Sequence, residues 1–171
     1  MIELRPWTDD DFSLLERTVG DADVMAHLGG AEPPEKIRTR HALYRDWSGD
    51  GGMMTIWIPA EGVAVGTIGF WESTWAGDEV FEAGWTVLPQ FGRRGIATEA
   101  AREIVARVRT LRKRRFLFAF PAVDNVASNR VCERAGFANL GAYEIEYPTD
   151  HIMNAHAWRI DLMWPAEAAS P

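Results

Sequence analysis

The sequence predicts an α+β domain built on one mixed, mostly antiparallel sheet of about seven strands flanked by about four helices. Three observations carry this expectation. Between residues 53 and 88, three runs of β-branched and aromatic residues follow one another, separated by Gly, Pro and Asp, which makes an antiparallel meander. An apolar stripe with helical spacing comes next, formed by Ile96, Ala97, Ala100, Ala101, Ile104, Val105, Val108 and Leu111. Strand and helix signals then alternate to the end of the chain, so the sheet is mixed and not a meander alone.

Taken in order, residues 1–5 read as a short strand stopped by Pro6, and Thr8 caps a helix over about 9–19 whose first turn is acidic. Residues 26–30 form a turn or loop. Pro33 and Pro34 open a second helix with Ile37, His41, Tyr44 and Trp47 on helical spacing, and the glycine-rich stretch 49–52 ends it. The meander strands are expected at 53–59, 63–73 and 79–88. Residues 116–120 are continuously apolar and read as a strand buried on both faces. Asp124 or Asn125 caps a helix running to Ala135, which Gly136 stops, and strands at about 137–147 and 155–164 complete the pattern. A single domain over 1–165 with a frayed tail at 166–171 is expected.

Composition removes several function classes. A net charge of −7 argues against a nucleic-acid-binding protein, yet half of the 18 basic residues fall between Arg93 and Arg115, which suits a local anion site. The single cysteine, Cys132, excludes an intrachain disulfide and a cysteine-based metal cluster. His27, His41, His151 and His156 show no metal-ligand spacing with acidic residues, so no metal is expected. No signal-peptide pattern and no membrane-length apolar segment are present, and the expectation is a cytoplasmic protein without a membrane partner.

The junction Gln90-Phe91-Gly92-Arg93-Arg94-Gly95-Ile96-Ala97-Thr98-Glu99-Ala100 joins a strand to a helix through a glycine-bearing basic turn. Free N–H groups and the macrodipole at a helix start attract phosphate, Gly95 permits close approach, and the two arginines can pair with anionic oxygens. Neither a Gly-x-Gly-x-x-Gly run nor a Gly-Lys-Ser/Thr ending is present, and a meander precedes the turn, which disfavours Rossmann and P-loop folds.

Joined with Asn125-Val126-Ala127-Ser128-Asn129 and the helix end Cys132-Glu133-Arg134-Ala135-Gly136-Phe137, this junction resembles the Gcn5-related N-acetyltransferase (GNAT) family. The Arg-Arg-Gly-Ile-Ala-Thr-Glu-Ala wording is similar to the branch of ribosomal-protein N-terminal acetyltransferases. The resemblance implies that backbone N–H groups of Arg93, Arg94, Gly95, Ile96, Ala97 and Thr98 hold the pyrophosphate of acetyl-CoA. It also implies that Val87 and Leu88 pair strand-fashion with the pantetheine arm, and that Asn125, Ser128 and Asn129 line the other side. Gly92 departs from the pattern, since the family usually has Gln or Arg there. Cys132 stands where many members carry a proton-donating tyrosine, and an inert buried thiol is expected instead.

Strand alternation puts Glu82 on one face with Gly84 and Thr86, which leaves room for a ligand beside it. The resemblance makes Glu82 the general base and the Leu88 backbone N–H the oxyanion donor. Glu72, Asp78 and Glu79 are weaker candidates, read as turn or strand-end charges. Trp71, Trp75, Trp85 and Tyr147 are candidate pocket walls or core residues, and His27 and His151 candidate pocket residues. The expected function is transfer of an acetyl group from acetyl-CoA to a primary amine, on a small molecule or a protein N-terminus, by direct attack in a ternary complex. A catalytically weak acyl-CoA sensor is the alternative. The acceptor and the acyl group are left open, and exposed aromatics on the last strands suit a homodimer.

Overall fold

The computed structural model describes residues 1–147 and 152–163. His151, the expected strand end at Trp164 and the tail at 166–171 lie outside the described residues. The elements are β1 (Glu3–Pro6), α1 (Phe12–Val19), α2 (Pro34–Arg45), β2 (Gly52–Ile58), β3 (Val63–Trp75), β4 (Asp78–Val87), α3 (Ile96–Leu111), β5 (Phe116–Ala119), α4 (Val126–Ala135), β6 (Ala138–Glu146) and β7 (Ile152–Asp161). They match the expected order. The seven strands form one sheet in the order β1-β2-β3-β4-β5-β7-β6.

Local chemistry sets the ends of these elements. The Thr8 N–H donates to Asp11 Oδ2 at 2.7 Å, so the first helix begins with a short 3₁₀ turn before α1. The β3–β4 hairpin closes through Ala76 and Gly77, whose φ values of 51° and 90° supply the left-handed pair that a two-residue turn needs. That tight turn extends β3 two residues past its expected end. Asn125 caps α4 by accepting from the Ser128 N–H at 3.0 Å, which decides between the two expected capping residues.

Two cores lie on opposite faces of the sheet. On one, Ile96, Ala100, Ala101, Ile104, Val105 and Val108 of α3 pack with Cys132 and Phe137 onto Phe81, Ala83 and Leu117. On the other, Leu14, Leu15 and Val19 of α1 and Ile37 of α2 pack onto Trp7, Met25 and Leu88. Burying such side chains is worth about 1.5–3 kcal/mol each, and this holds both helical layers.

One pairing positions the site. Every adjacent pair is antiparallel except β4–β5, which is parallel and is joined only at Phe81–Leu117 and Glu82–Phe118. Beyond Glu82, β4 has no strand beside it on that side. Since α3 and α4 follow the carboxyl ends of the parallel pair, their N-termini fall at the same edge of the sheet.

The basic run after α3 is a set of tethers. Lys113 pairs with Asp50, Arg114 with Glu72 and Glu79 at 3.1 and 3.2 Å, and Arg115 with Asp161 at 2.8 Å. Glu72 and Glu79 are exposed partners of Arg114, as expected of turn or strand-end charges. Among the described residues, no helix is long and apolar enough to cross a membrane, and no group of three or more His, Cys, Asp or Glu is placed to hold a metal ion.

Candidate active site

The loop before α3 is a concave run of backbone donors. Arg93 and Gly95 both adopt left-handed conformations, with φ of 61° and 80°. Alternation of left- and right-handed residues turns successive N–H groups toward one point and makes an anion nest. Among the described residues, the N–H groups from 93 to 98 meet no acceptor, while Gly92 N–H is held by Pro89 O and Glu99 N–H by Gly95 O, each at 3.0 Å. A Cβ on Gly95 would meet no protein atom within 4 Å, so the space that it faces is open to a ligand. At Gly92 a Cβ would lie 3.1 Å from Pro89 O, so a larger residue there would need the turn to shift by a few tenths of an ångström.

The two arginines behave differently. Arg94 pairs with Glu61 in the β2–β3 turn and lies over the Phe91 ring, 5.5 Å from its centroid. That pair has to open before Arg94 reaches a phosphate. Arg93 is exposed and forms no ion pair among the described residues.

Gly95→Val is expected to weaken acetyl-CoA binding at least about tenfold, because a β-branched residue disfavours φ near +80° and its methyls enter the nest. Backbone strain of this kind costs roughly 1–3 kcal/mol. Titration calorimetry checks it, and unchanged affinity would show that the nest does not hold the donor.

Hydrogen-bond alternation along β4 corrects one expectation. The Leu88 N–H donates to Val65 O and the Leu88 carbonyl accepts from Phe91 N–H, both at 2.9 Å. Leu88 therefore has no N–H for an oxyanion and no main-chain group for pantetheine, and its buried side chain joins the core with Trp7 and Leu15. The same bond makes Val87–Gly66 a pair that is not hydrogen-bonded, so Val87 and, two residues back, Trp85 turn their N–H and C=O away from β3. Those groups face the side where β4 lacks a neighbour.

At the α4 start, a second expectation changes. Asn129 Oδ1 accepts from Trp158 Nε1 at 2.8 Å and lies 2.8 Å from His156 Nδ1. Its Nδ2 donates to the Ala122 and Asn125 carbonyls at 2.8 and 2.9 Å. With every site used internally, Asn129 is a clamp between α4 and β7 and not a ligand residue. Asn125 spends its Oδ1 on the cap, and the half-buried Ser128 hydroxyl makes no hydrogen bond among the described residues. Cys132 is fully buried, and burial pushes its thiol up to about 12, as expected of an inert thiol.

Glu82 sits on the α1/α2 face of β4. Burial raises its carboxyl above the ordinary range, opposed in part by hydrogen bonds from Ser73 and Trp71, the former 3.0 Å from Oε2. The room expected over Gly84 is taken by Trp71, whose Cη2 would lie 2.9 Å from a Cβ there. The open space lies instead toward β5 and β6, in a cavity of about 230 Å³ lined by Ser73, Trp75, Glu82, Phe120 and Tyr147 among others.

Of the aromatic candidates, Trp75 and Tyr147 line this cavity, Trp71 supports Glu82, and Trp85 packs against the α3/α4 core. His27 is elsewhere, with Nδ1 3.1 Å from Asp124 Oδ1. Ser73 is not singled out by the sequence, which offers Trp71 only as a pocket wall or core residue and not as a partner of Glu82. A two-residue turn at Ala76-Gly77 sets the register that places Trp71 opposite Glu82 and Ser73 on its diagonal.

A helix-start anion nest beside a sheet that opens between two parallel strands, with a carboxylate at the opening, is the arrangement expected of an acyl-CoA-dependent N-acyltransferase. The family profile described as "Acetyltransferase (GNAT) domain" matches residues 2–138. The chain belongs to the GNAT family and is an acetyl-CoA-dependent N-acetyltransferase.

No curated protein matches the chain. Among solved structures, a GNAT-family acetyltransferase from Bacillus anthracis superposes with a TM-score of 0.79 at 21% identity, covering 94% of this chain and 95% of that one. An acetyltransferase from Salmonella typhimurium that modifies the N-terminal serine of ribosomal protein L7/L12 gives 0.73 at 18%, covering 94% of each chain. Spermidine N-acetyltransferase from Vibrio cholerae, solved with CoA and spermine, gives 0.75 at 16%, covering 94% and 95%. At these identities the likeness concerns the fold, and the acceptors named differ.

Proposed function

We propose that the protein transfers an acetyl group from acetyl-CoA to a primary amine by direct attack within a ternary complex. The observation that carries this reading is the position of Glu82. It is the last β4 residue paired with β5, so the open strand edge begins beside it, and its side chain lines the cavity on the α1/α2 face. A donor held at the nest and along β4 from one side and an amine entering from the other side meet there.

The residues divide the work. The nest at 93–98 holds the pyrophosphate, and Val87 pairs with the pantetheine arm. Trp85, one step deeper along the same open edge, offers its N–H to the thioester carbonyl oxygen, the role that Leu88 cannot fill. Acetyl-CoA supplies the activated carbonyl. As the amine nitrogen bonds to that carbon, the C–S bond breaks, the amine proton passes to Glu82, and the departing thiolate takes a proton from solvent. Holding the two reactants together supplies much of the rate. The wording at 93–100 supports kinship with the ribosomal-protein branch.

Native mass spectrometry with acetyl-CoA tests the reading. One non-covalent acetyl-CoA per chain is expected, with CoA appearing only once an amine is added. A chain that binds none, or that carries a stable acetyl adduct without an acceptor, would sink direct transfer.

A further inference from the structure

The acceptor side of the site carries more information than its carboxylate. Trp75, Phe120 and Tyr147 surround the cavity beside Glu82, and Ile145 closes another wall. The Trp75 and Phe120 rings are held by their neighbours. Trp75 packs over Phe118 and Phe120 with centroids 5.5 and 4.9 Å apart, and Tyr143 meets it edge-on at 5.1 Å. Phe118 and Phe120 stack at 5.6 Å with their planes 9° apart. A rigid aromatic wall of this kind selects flat apolar groups and attracts a cationic nitrogen to its ring faces.

Size and charge narrow the occupant further. At about 230 Å³ the cavity is smaller than the pockets of roughly 300–1,000 Å³ that bury drug-sized ligands. Among the described residues that line it, the carboxylates are Glu82, which faces the reacting nitrogen, and the exposed Glu146. A polyamine or an aminoglycoside carries several ammonium groups that would each need a carboxylate or water. The ring faces and Glu82 serve one such cation, and the further ammonium groups of a polycation would rely on Glu146 and water.

Resting on the acetyl-transfer reading, we propose that the acceptor is a small monoamine with a flat, apolar body, an arylalkylamine in chemical class. The nitrogen points to Glu82 and the ring lies between Trp75, Phe120 and Tyr147.

The test is an initial-rate panel at saturating acetyl-CoA, reading CoA release with phenethylamine, tyramine, spermidine, kanamycin and a serine-initiated peptide. At least about a tenfold higher kcat/KM is expected for the two arylalkylamines. Trp75→Leu and Phe120→Leu should each raise the arylalkylamine KM about tenfold, the loss of one aromatic contact, with kcat within about twofold and acetyl-CoA affinity unchanged. Unchanged acetyl-CoA affinity also shows that the variants are folded. Preferred turnover of spermidine, kanamycin or the peptide, or an unmoved KM in both variants, overturns the proposal and leaves acetyl transfer standing. Bound acetyl-CoA with no CoA release from any amine overturns both.

Discussion

Replacing Glu82 with Gln is expected to lower kcat/KM by about 10²–10⁴, the usual worth of a positioned general base. The isosteric amide keeps an oxygen for the Ser73 hydroxyl but cannot take a proton. Because burial raises the Glu82 carboxyl above its ordinary value, the wild-type rate should fall as pH drops through that raised value, and the variant should lose this limb. Stability moves the other way. The unfolded chain gives up the Glu82 proton at a lower pH than the folded one, so the contribution of this group is fully present below the unfolded value and is lost as pH rises through the folded value. At neutral pH the ionised carboxylate is a cost, and Glu82→Gln should melt higher than wild type there and equally near pH 4. Full turnover at every pH would remove Glu82 from the base role. A lower melting temperature at pH 7 would contradict the burial argument.

Asn129→Leu is expected to destabilise the fold by about 3 kcal/mol and lower the melting temperature by about 6–12 °C, with little effect on acetyl-CoA affinity in the protein that remains folded. Each buried group left without a partner costs roughly 1–3 kcal/mol, and this change strands the Trp158 indole N–H and removes the second donor from the Ala122 and Asn125 carbonyls, which keep one backbone N–H each. Calorimetric melting and acetyl-CoA titration separate the two roles. An unchanged melting temperature with affinity reduced tenfold would restore Asn129 as a ligand residue.

The parts of the candidate site that were legible are those built from short-range signals. Gly95 before an apolar helical stripe announces a helix start with open N–H groups, and the Asn125 to Phe137 stretch carries its own cap and stop. Glu82 was legible through period-two alternation. Its environment was not, because Trp71 and Ser73 come from the neighbouring strand and reach it only through the hairpin register. Leu88 shows the same limit. The resemblance offered its N–H as an oxyanion donor, but whether an amide on β4 faces β3 or the opening depends on which pairs of the ladder are bonded, and Val65 takes this one. Asn129 likewise sits in a motif shared with ligand-binding residues, and it is spent on Trp158, 29 positions away.

The sequence by itself determined the elements, their order, the anion nest at the start of α3 and the family. The elements and the helix start follow from periodicity, caps and glycine placement, which act over a few residues, and the family from the resemblance of two motifs. Tertiary structure decided which β4 amides are free, that Cys132 and Asn129 are structural, and that the space beside Glu82 opens toward Trp75, Phe120 and Tyr147 and is closed over Gly84. Those outcomes depend on ladder register and on side chains meeting across the sheet, and long-range contact of that kind is formed only when the chain packs.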